Sequence, residues 1–122
     1  MTHKILLVED DPWLAELEER VLSKEGYRVR IATDGDAAID LIDDELPDLI
    51  VLDMLLTGTT AFALLHELQS YGDTGLIPVI ICTNMAENLE LDELSVYGVR
   101  RIVNKSTMQP SDLVAAARSV LA

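Results

Sequence analysis

The sequence predicts an α/β fold, a five-stranded parallel sheet doubly wound by helices on both faces. Three observations carry that prediction. Strand-like and helix-like periods alternate five times with short links between them, the signature of successive strand–helix units. The runs Ile5-Leu6-Leu7-Val8 and Leu49-Ile50-Val51-Leu52 are short, continuously apolar and partly β-branched, as strands buried on both faces are. Both runs end in acid, the first in Glu9-Asp10-Asp11 and the second in Asp53.

Each element has its own local warrant. Asp11 suits an N-cap and Pro12 the first turn of a helix. Trp13 or Leu14, then Leu17, Val21 and Leu22 supply its apolar stripe, and Gly26 stops it. Over 27–32, Arg28 and Arg30 alternate with Val29 and Ile31, the pattern of a half-exposed edge strand. A second helix follows Asp34-Gly35-Asp36, with Ala37, Ala38, Ile39, Leu41 and Ile42 as its apolar side. Pro47-Asp48 turns the chain into the strand that ends at Asp53. The third helix is expected over about 60–70 with Phe62, Leu64, Leu65 and Leu68 turned inward or nearly so. A fourth strand is expected over 77–82, where Pro78 is tolerable near the start. A helix over about 86–97 stopped by Gly98, a short strand over 101–103 and a helix over 110–121 complete the chain.

Composition excludes several classes of function. The chain has 122 residues, 49% hydrophobic, enough for one globular domain with a real core. Its formal charge of −13, from 22 acidic residues against nine Lys plus Arg, argues against gripping nucleic acid or an anionic membrane. The single cysteine, Cys82, lies in an apolar strand and reads as a structural thiol in a reducing compartment. The start moves straight into a strand with no signal-peptide pattern, and no apolar run is long enough to span a bilayer. The expectation is a soluble, cytoplasmic protein.

In a parallel sheet wound on both faces, ligands bind beyond the carboxyl ends of the strands. The groups expected there are Asp10 and Asp11, Asp53, Thr83 and Lys105. Neighbouring strands lie about 4.8 Å apart, so pairing of the two acid-tipped strands brings Asp10, Asp11 and Asp53 together. Two carboxylates at about 4 Å repel by roughly 4 kcal/mol at an effective dielectric near 20. A hard, oxygen-seeking cation such as Mg²⁺ relieves that cost. Isolated aspartates more often cap helices and face water; three converging ones favour the metal. Chemically, Asp53 can act as a nucleophile toward phosphorus while Asp10 and Asp11 hold the metal. Thr83 can donate a hydrogen bond to the new phosphoryl group, and Lys105 can pair with it as a flexible point charge.

With Glu9-Asp10-Asp11, Pro47-Asp48 through Asp53, Pro78 through Thr83, and Lys105 after Gly98 in this order and spacing, the chain resembles the receiver domain of two-component response regulators. The resemblance runs from Lys4 to the last helix, so 1–122 reads as one phosphoacceptor domain. It implies a flavodoxin-like strand order of 2-1-3-4-5. It also implies Mg²⁺-dependent phosphoryl transfer from a phosphohistidine donor to Asp53, with the backbone carbonyl of Leu55 as a further metal ligand. The surface of the fourth helix, fifth strand and fifth helix would then rearrange. The implied partners are a sensor histidine kinase or histidine phosphotransfer protein, a downstream target or effector domain, and a second copy of the chain. Such a protein is a phosphoacceptor that catalyses its own modification rather than a turnover enzyme.

Several positions depart from the family pattern. Ser106 follows Lys105 where proline is common, and a trans bond is expected because a non-proline cis bond costs roughly 2.5–4 kcal/mol. The loop to the fifth helix looks too long by one residue, with Pro110 five positions after Lys105. Ile102 replaces the usual aromatic residue, so an aromatic rotamer switch does not carry over. Thr57 and Asn84 replace residues that are commonly proline and small. Leu55 and Met85 are apolar where the family tunes attack by water, and read either as a shield that gives a long-lived phosphorylated state or as packing on neighbouring loops. His3 and His66 read as bystanders, and Glu87, Glu90, Asp92 and Glu93 as a solvated face. Trp13 reads either as packing or as part of a docking surface for a histidine-bearing helix.

Three other readings weigh less. A haloacid-dehalogenase-type phosphatase wants a second acid two residues after the nucleophile, where this chain has Leu55. A flavodoxin relative wants a phosphate loop after the first strand. A degenerate receiver, acting as a phosphorylation-independent interaction module, is the main alternative.

Overall fold

The structure, a computed structural model, describes residues 2–54, 60–84 and 89–121. Five strands run parallel in the order β2-β1-β3-β4-β5: β1 (Lys4–Val8), β2 (Arg28–Ala32), β3 (Leu49–Leu52), β4 (Val79–Thr83) and β5 (Val99–Asn104). Between and after them lie α1 (Pro12–Ser23), α2 (Gly35–Asp44), α3 (Ala61–Gln69), α4 (Leu91–Leu94) and α5 (Pro110–Leu121). Order and direction are those expected. No helix among the described residues is long and apolar enough to cross a membrane.

Strand alternation sorts the core into two layers. Leu6, Val8, Ile50, Leu52, Val79 and Ile81 pack on one face with Ala38 and Ile42 of α2 and Leu64, Leu65 and Leu68 of α3. Ile5, Leu7, Leu49, Val51, Ile80 and Cys82 pack on the other with Ala15 and Leu22 of α1 and Leu113 and Ala117 of α5. Each central strand thus feeds both cores, which is why its sequence is apolar at every position.

Some boundaries differ from the sequence reading. β4 starts at Val79 rather than 77, because Pro78 offers no N–H to a ladder and Thr74–Leu76 forms a 3₁₀ turn before it. β5 is longer than expected, with a register shift between Val79↔Val99 and Ile80↔Arg101. The fourth helix is described only as α4 and the 3₁₀ turn Ser95–Tyr97, and 85–88 lie outside the described residues. Gly98 follows that turn at φ 85°, and a Cβ there would sit 3.2 Å from the Ile77 carbonyl oxygen.

Helix α1 is rotated from its expected stripe. Ala15, Glu18 and Leu22 face the sheet, whereas Leu17 is 46% exposed and Trp13 86% exposed. The small Ala15 lets the helix lie close to the sheet, and the i, i+3, i+7 row it begins includes Glu18. Phe62, expected inward or nearly so, is also exposed.

Candidate functional site

Strand register decides which acids meet. β1 and β3 pair through Val8↔Leu52, so the next residues on each strand, Glu9 and Asp53, stand side by side. The Asp53 N–H donates to the Val8 carbonyl (3.1 Å) and the Glu9 N–H to Ala32 (3.0 Å), which fixes both tips at the ladder's end. Glu9, Asp10 and Asp53 each offer a carboxylate oxygen, all within 4.8 Å of one another. Glu9 and Asp53 are buried; Asp10 is partly exposed.

Asp11 is not a member of this cluster, contrary to expectation. Its Oδ1 accepts from the N–H groups of Trp13 (2.9 Å) and Leu14 (3.4 Å), capping α1. Its own N–H donates to Glu9 Oε2 at 3.3 Å, so it steadies the cluster through its backbone. The physical reason is position: one residue further along, the chain has already turned into the helix. Glu9 takes the place expected for Asp11. The register opposite Asp53 was the signal that could have found it.

Lys105 closes the site from β5. Its Nζ donates to Asp53 Oδ2 at 2.8 Å and also to Glu9 Oε1. The register shift in β5 sets this reach, placing Asn104 opposite Thr83 and bonding the Lys105 N–H to the Thr83 carbonyl at 3.0 Å. Thr83 itself is fully buried at the end of β4. Burial works against charge on Lys105, but its hydrogen bonds to Asp53 and Glu9 outweigh it and hold the ammonium above the ordinary lysine range. Burial is also the largest influence on Glu9 and lifts it above the usual carboxyl range despite the Lys105 bond. The charged lysine is the firmer of the pair, because two carboxylates share it, whereas Glu9 has one cation and a like-charged Asp53 nearby. If ionised, Glu9, Asp10 and Asp53 bring three negative charges against one from Lys105. The imbalance of two suits a divalent cation with oxygen ligands.

A family model for the response regulator receiver domain matches residues 5–118. The chain belongs to the response regulator receiver domain family. It is similar to a chain assigned as a response regulator from Chloroflexus aurantiacus, at 29% identity and a TM-score of 0.85, over 99% of this chain and 98% of that one. It is also similar to the receiver domain of a signal transduction histidine kinase from Syntrophus aciditrophicus, at 26% identity and a TM-score of 0.83, over 98% of this chain and 90% of that one. The chemotaxis protein CheY4 of Vibrio cholerae shares its fold, with a TM-score of 0.89 over 99% of this chain and 100% of that one at 21% identity. This is a receiver domain of two-component signalling.

As a receiver it carries its departures as a set. Ser106 Oγ donates to Asn84 Oδ1 at 3.0 Å, so the two unusual residues beyond β4 and β5 bond to each other. The Ser106 N–H donates to Asn104 Oδ1 (2.9 Å), and the Met108 N–H returns to the Asn104 carbonyl (2.9 Å). The Lys105–Ser106 bond is trans. Ile102 is half-buried against the α2–α3 core. Leu55, Thr57 and Met85 lie outside the described residues. His66 is exposed as expected, yet its Nε2 lies 3.1 Å from the Tyr97 Oη with the rings edge-on, joining α3 to the turn before β5. Sequence spacing gave no signal for that pair.

Proposed function

We propose that the domain accepts a phosphoryl group on Asp53 from a phosphohistidine donor with Mg²⁺ bound. The observation that carries this is the placing of Glu9, Asp10 and Asp53 within 4.8 Å, beside Lys105. Three hard oxygen donors with an excess negative charge fit Mg²⁺, and Glu9, Asp10 and Asp53 would hold it, with the Leu55 carbonyl of the family pattern as a further donor. When bound, Mg²⁺ neutralises charge on the phosphoryl oxygens.

The Asp53 carboxylate attacks phosphorus, its O–P bond forming as the donor's P–N bond breaks and the imidazole leaves with the electron pair. Lys105, held protonated, transfers its hydrogen bond from Asp53 to the incoming oxygens. The Thr83 hydroxyl at the end of β4 supplies a further donor. Nothing turns over, so the domain is a phosphoacceptor rather than an enzyme in the usual sense. The partners are a sensor histidine kinase or phosphotransfer protein on the input side and a downstream target or effector domain on the output side. The exposed Trp13 and Leu17 on α1 supply an apolar docking surface beside the acids. The output surface is α4, β5 and α5.

The alternative of a phosphorylation-independent module is favoured only by the Asn84–Ser106 bond, which links the loops flanking Thr83 and Lys105. Incubation with Mg²⁺ and a small phosphodonor, followed by intact mass measurement, separates the two. A single phosphoryl group on the wild type and none on Asp53→Asn supports the acceptor; an unmodified wild type supports the module.

A further inference from the structure

One buried carboxyl takes no part in phosphoryl transfer as described. Glu18 on α1 is 2% exposed, and its Oε1 has no hydrogen-bond partner among the described residues. It lines a cavity of about 140 Å³ between α1, α5 and the segment after β5, together with Leu14, Met108, Pro110, Leu113 and Lys105. The walls are apolar except for that lysine, the same one that holds Glu9 and Asp53. A carboxylate buried without a partner is far costlier than the neutral acid.

Charged groups face Glu18 from several elements. Burial raises it most, followed by Glu9 beyond β1, then, against the lowering pull of Lys105 beyond β5, by Asp53 beyond β3 and Asp11 at the cap of its own helix, and the carboxyl is raised to about 7. Cys82 on β4 also senses it, a thiol that burial pushes up to about 12. From α5 the cavity receives only Pro110 and Leu113. Glu18 therefore changes charge near neutral pH within the field of the acceptor site without belonging to it.

We infer that Glu18 is a proton-linked positioning residue, whose carboxyl gains a proton when negative charge is added at Asp53 and loses it when positive charge is added there. The linkage is reciprocal: a protonated Glu18 favours the phosphorylated site, and an ionised one opposes it. The functional half of this inference rests on the phosphoacceptor reading above; the linkage itself does not.

Two measurements on the full chain decide it. Carboxyl-carbon NMR titration of Glu18 should give a midpoint near neutrality in the wild type and a lower one in Asp53→Asn, which removes a neighbouring negative charge. A midpoint in the ordinary carboxyl range, or one unmoved in Asp53→Asn, overturns the inference. Labelling by a small phosphodonor with Mg²⁺ should slow several-fold in the wild type as pH rises through the Glu18 midpoint measured by the same titration with Mg²⁺ present. Glu18→Gln and Glu18→Leu, which cannot ionise, should hold the low-pH rate throughout. Variants that keep the wild-type profile overturn the inference. A wild type that takes no label at any pH defeats the phosphoacceptor reading instead, and the NMR titration still decides the linkage.

Discussion

Glu9 and Glu18 are the same residue type, equally buried at 1% and 2% exposure, yet they sit in opposite circumstances. Glu9, at the tip of β1, is bonded by Lys105 and by the Asp11 N–H. Glu18, on the inner face of α1, leaves one oxygen without a partner among the described residues. Burial raises both, so the partners alone separate a built site from a stored cost. Replacing a buried ion pair by apolar residues is often neutral or stabilising, whereas removing one partner is strongly destabilising. Glu9 belongs to the second situation. Glu18 already resembles its outcome.

The largest expected effect comes from breaking the paired side. Lys105→Ala leaves Glu9 and Asp53 buried without their cation, and urea unfolding at pH 7 should show a loss of about 3–5 kcal/mol. A loss below about 1 kcal/mol would mean that the pair contributes no more than a surface contact.

The orphan side should appear in pH dependence. Glu18 rises from 4.5 to about 7 on folding, so between those values the native state holds a proton that the unfolded chain has released. Its contribution is complete below pH 4.5, is lost as pH climbs to about 7, and is flat above. The ceiling is about 3 kcal/mol at 1.36 kcal/mol per unit. Glu9 is raised as well and adds the same sign, so the difference between wild type and Glu18→Gln isolates Glu18. A Glu18→Gln variant that loses the same stability over this range contradicts the assignment.

Smaller effects distinguish the acids of the first tip. Asp11→Ala removes the α1 cap and should cost about 1 kcal/mol in thermal unfolding, with Asp11→Asn restoring most of it. Ser106→Ala breaks the bond to Asn84 between exposed side chains and should cost less than about 1 kcal/mol. A larger loss would make that link part of the core.

Much of the fold was legible because burial on both sheet faces leaves a plain mark, as in Ile5–Val8 and Leu49–Leu52. Asp53 and Thr83 were legible because each follows or ends such a strand, and Lys105 because it follows the last, half-exposed one. Which two acids of the first tip cluster with Asp53 was not. Glu9, Asp10 and Asp11 are chemically alike, and only the pairing register opposite Asp53 tells cluster member from cap. Glu18 was hidden for a different reason: a periodicity that counts apolar residues assigns a glutamate to solvent, so Leu17 was read as inward in its place. The His66–Tyr97 and Asn84–Ser106 contacts join residues 31 and 22 positions apart, and no local pattern encodes either.

The central claim is that Glu9, Asp10 and Asp53 form one cation site from which Asp11 stands apart. Calorimetric titration of Mg²⁺ into the wild type, Glu9→Gln, Asp53→Asn and Asp11→Asn tests it most directly. The expected result is saturable uptake by the wild type and Asp11→Asn, with strongly weakened uptake by the other two. No uptake by the wild type, or loss of uptake in Asp11→Asn with Glu9→Gln unaffected, would contradict it.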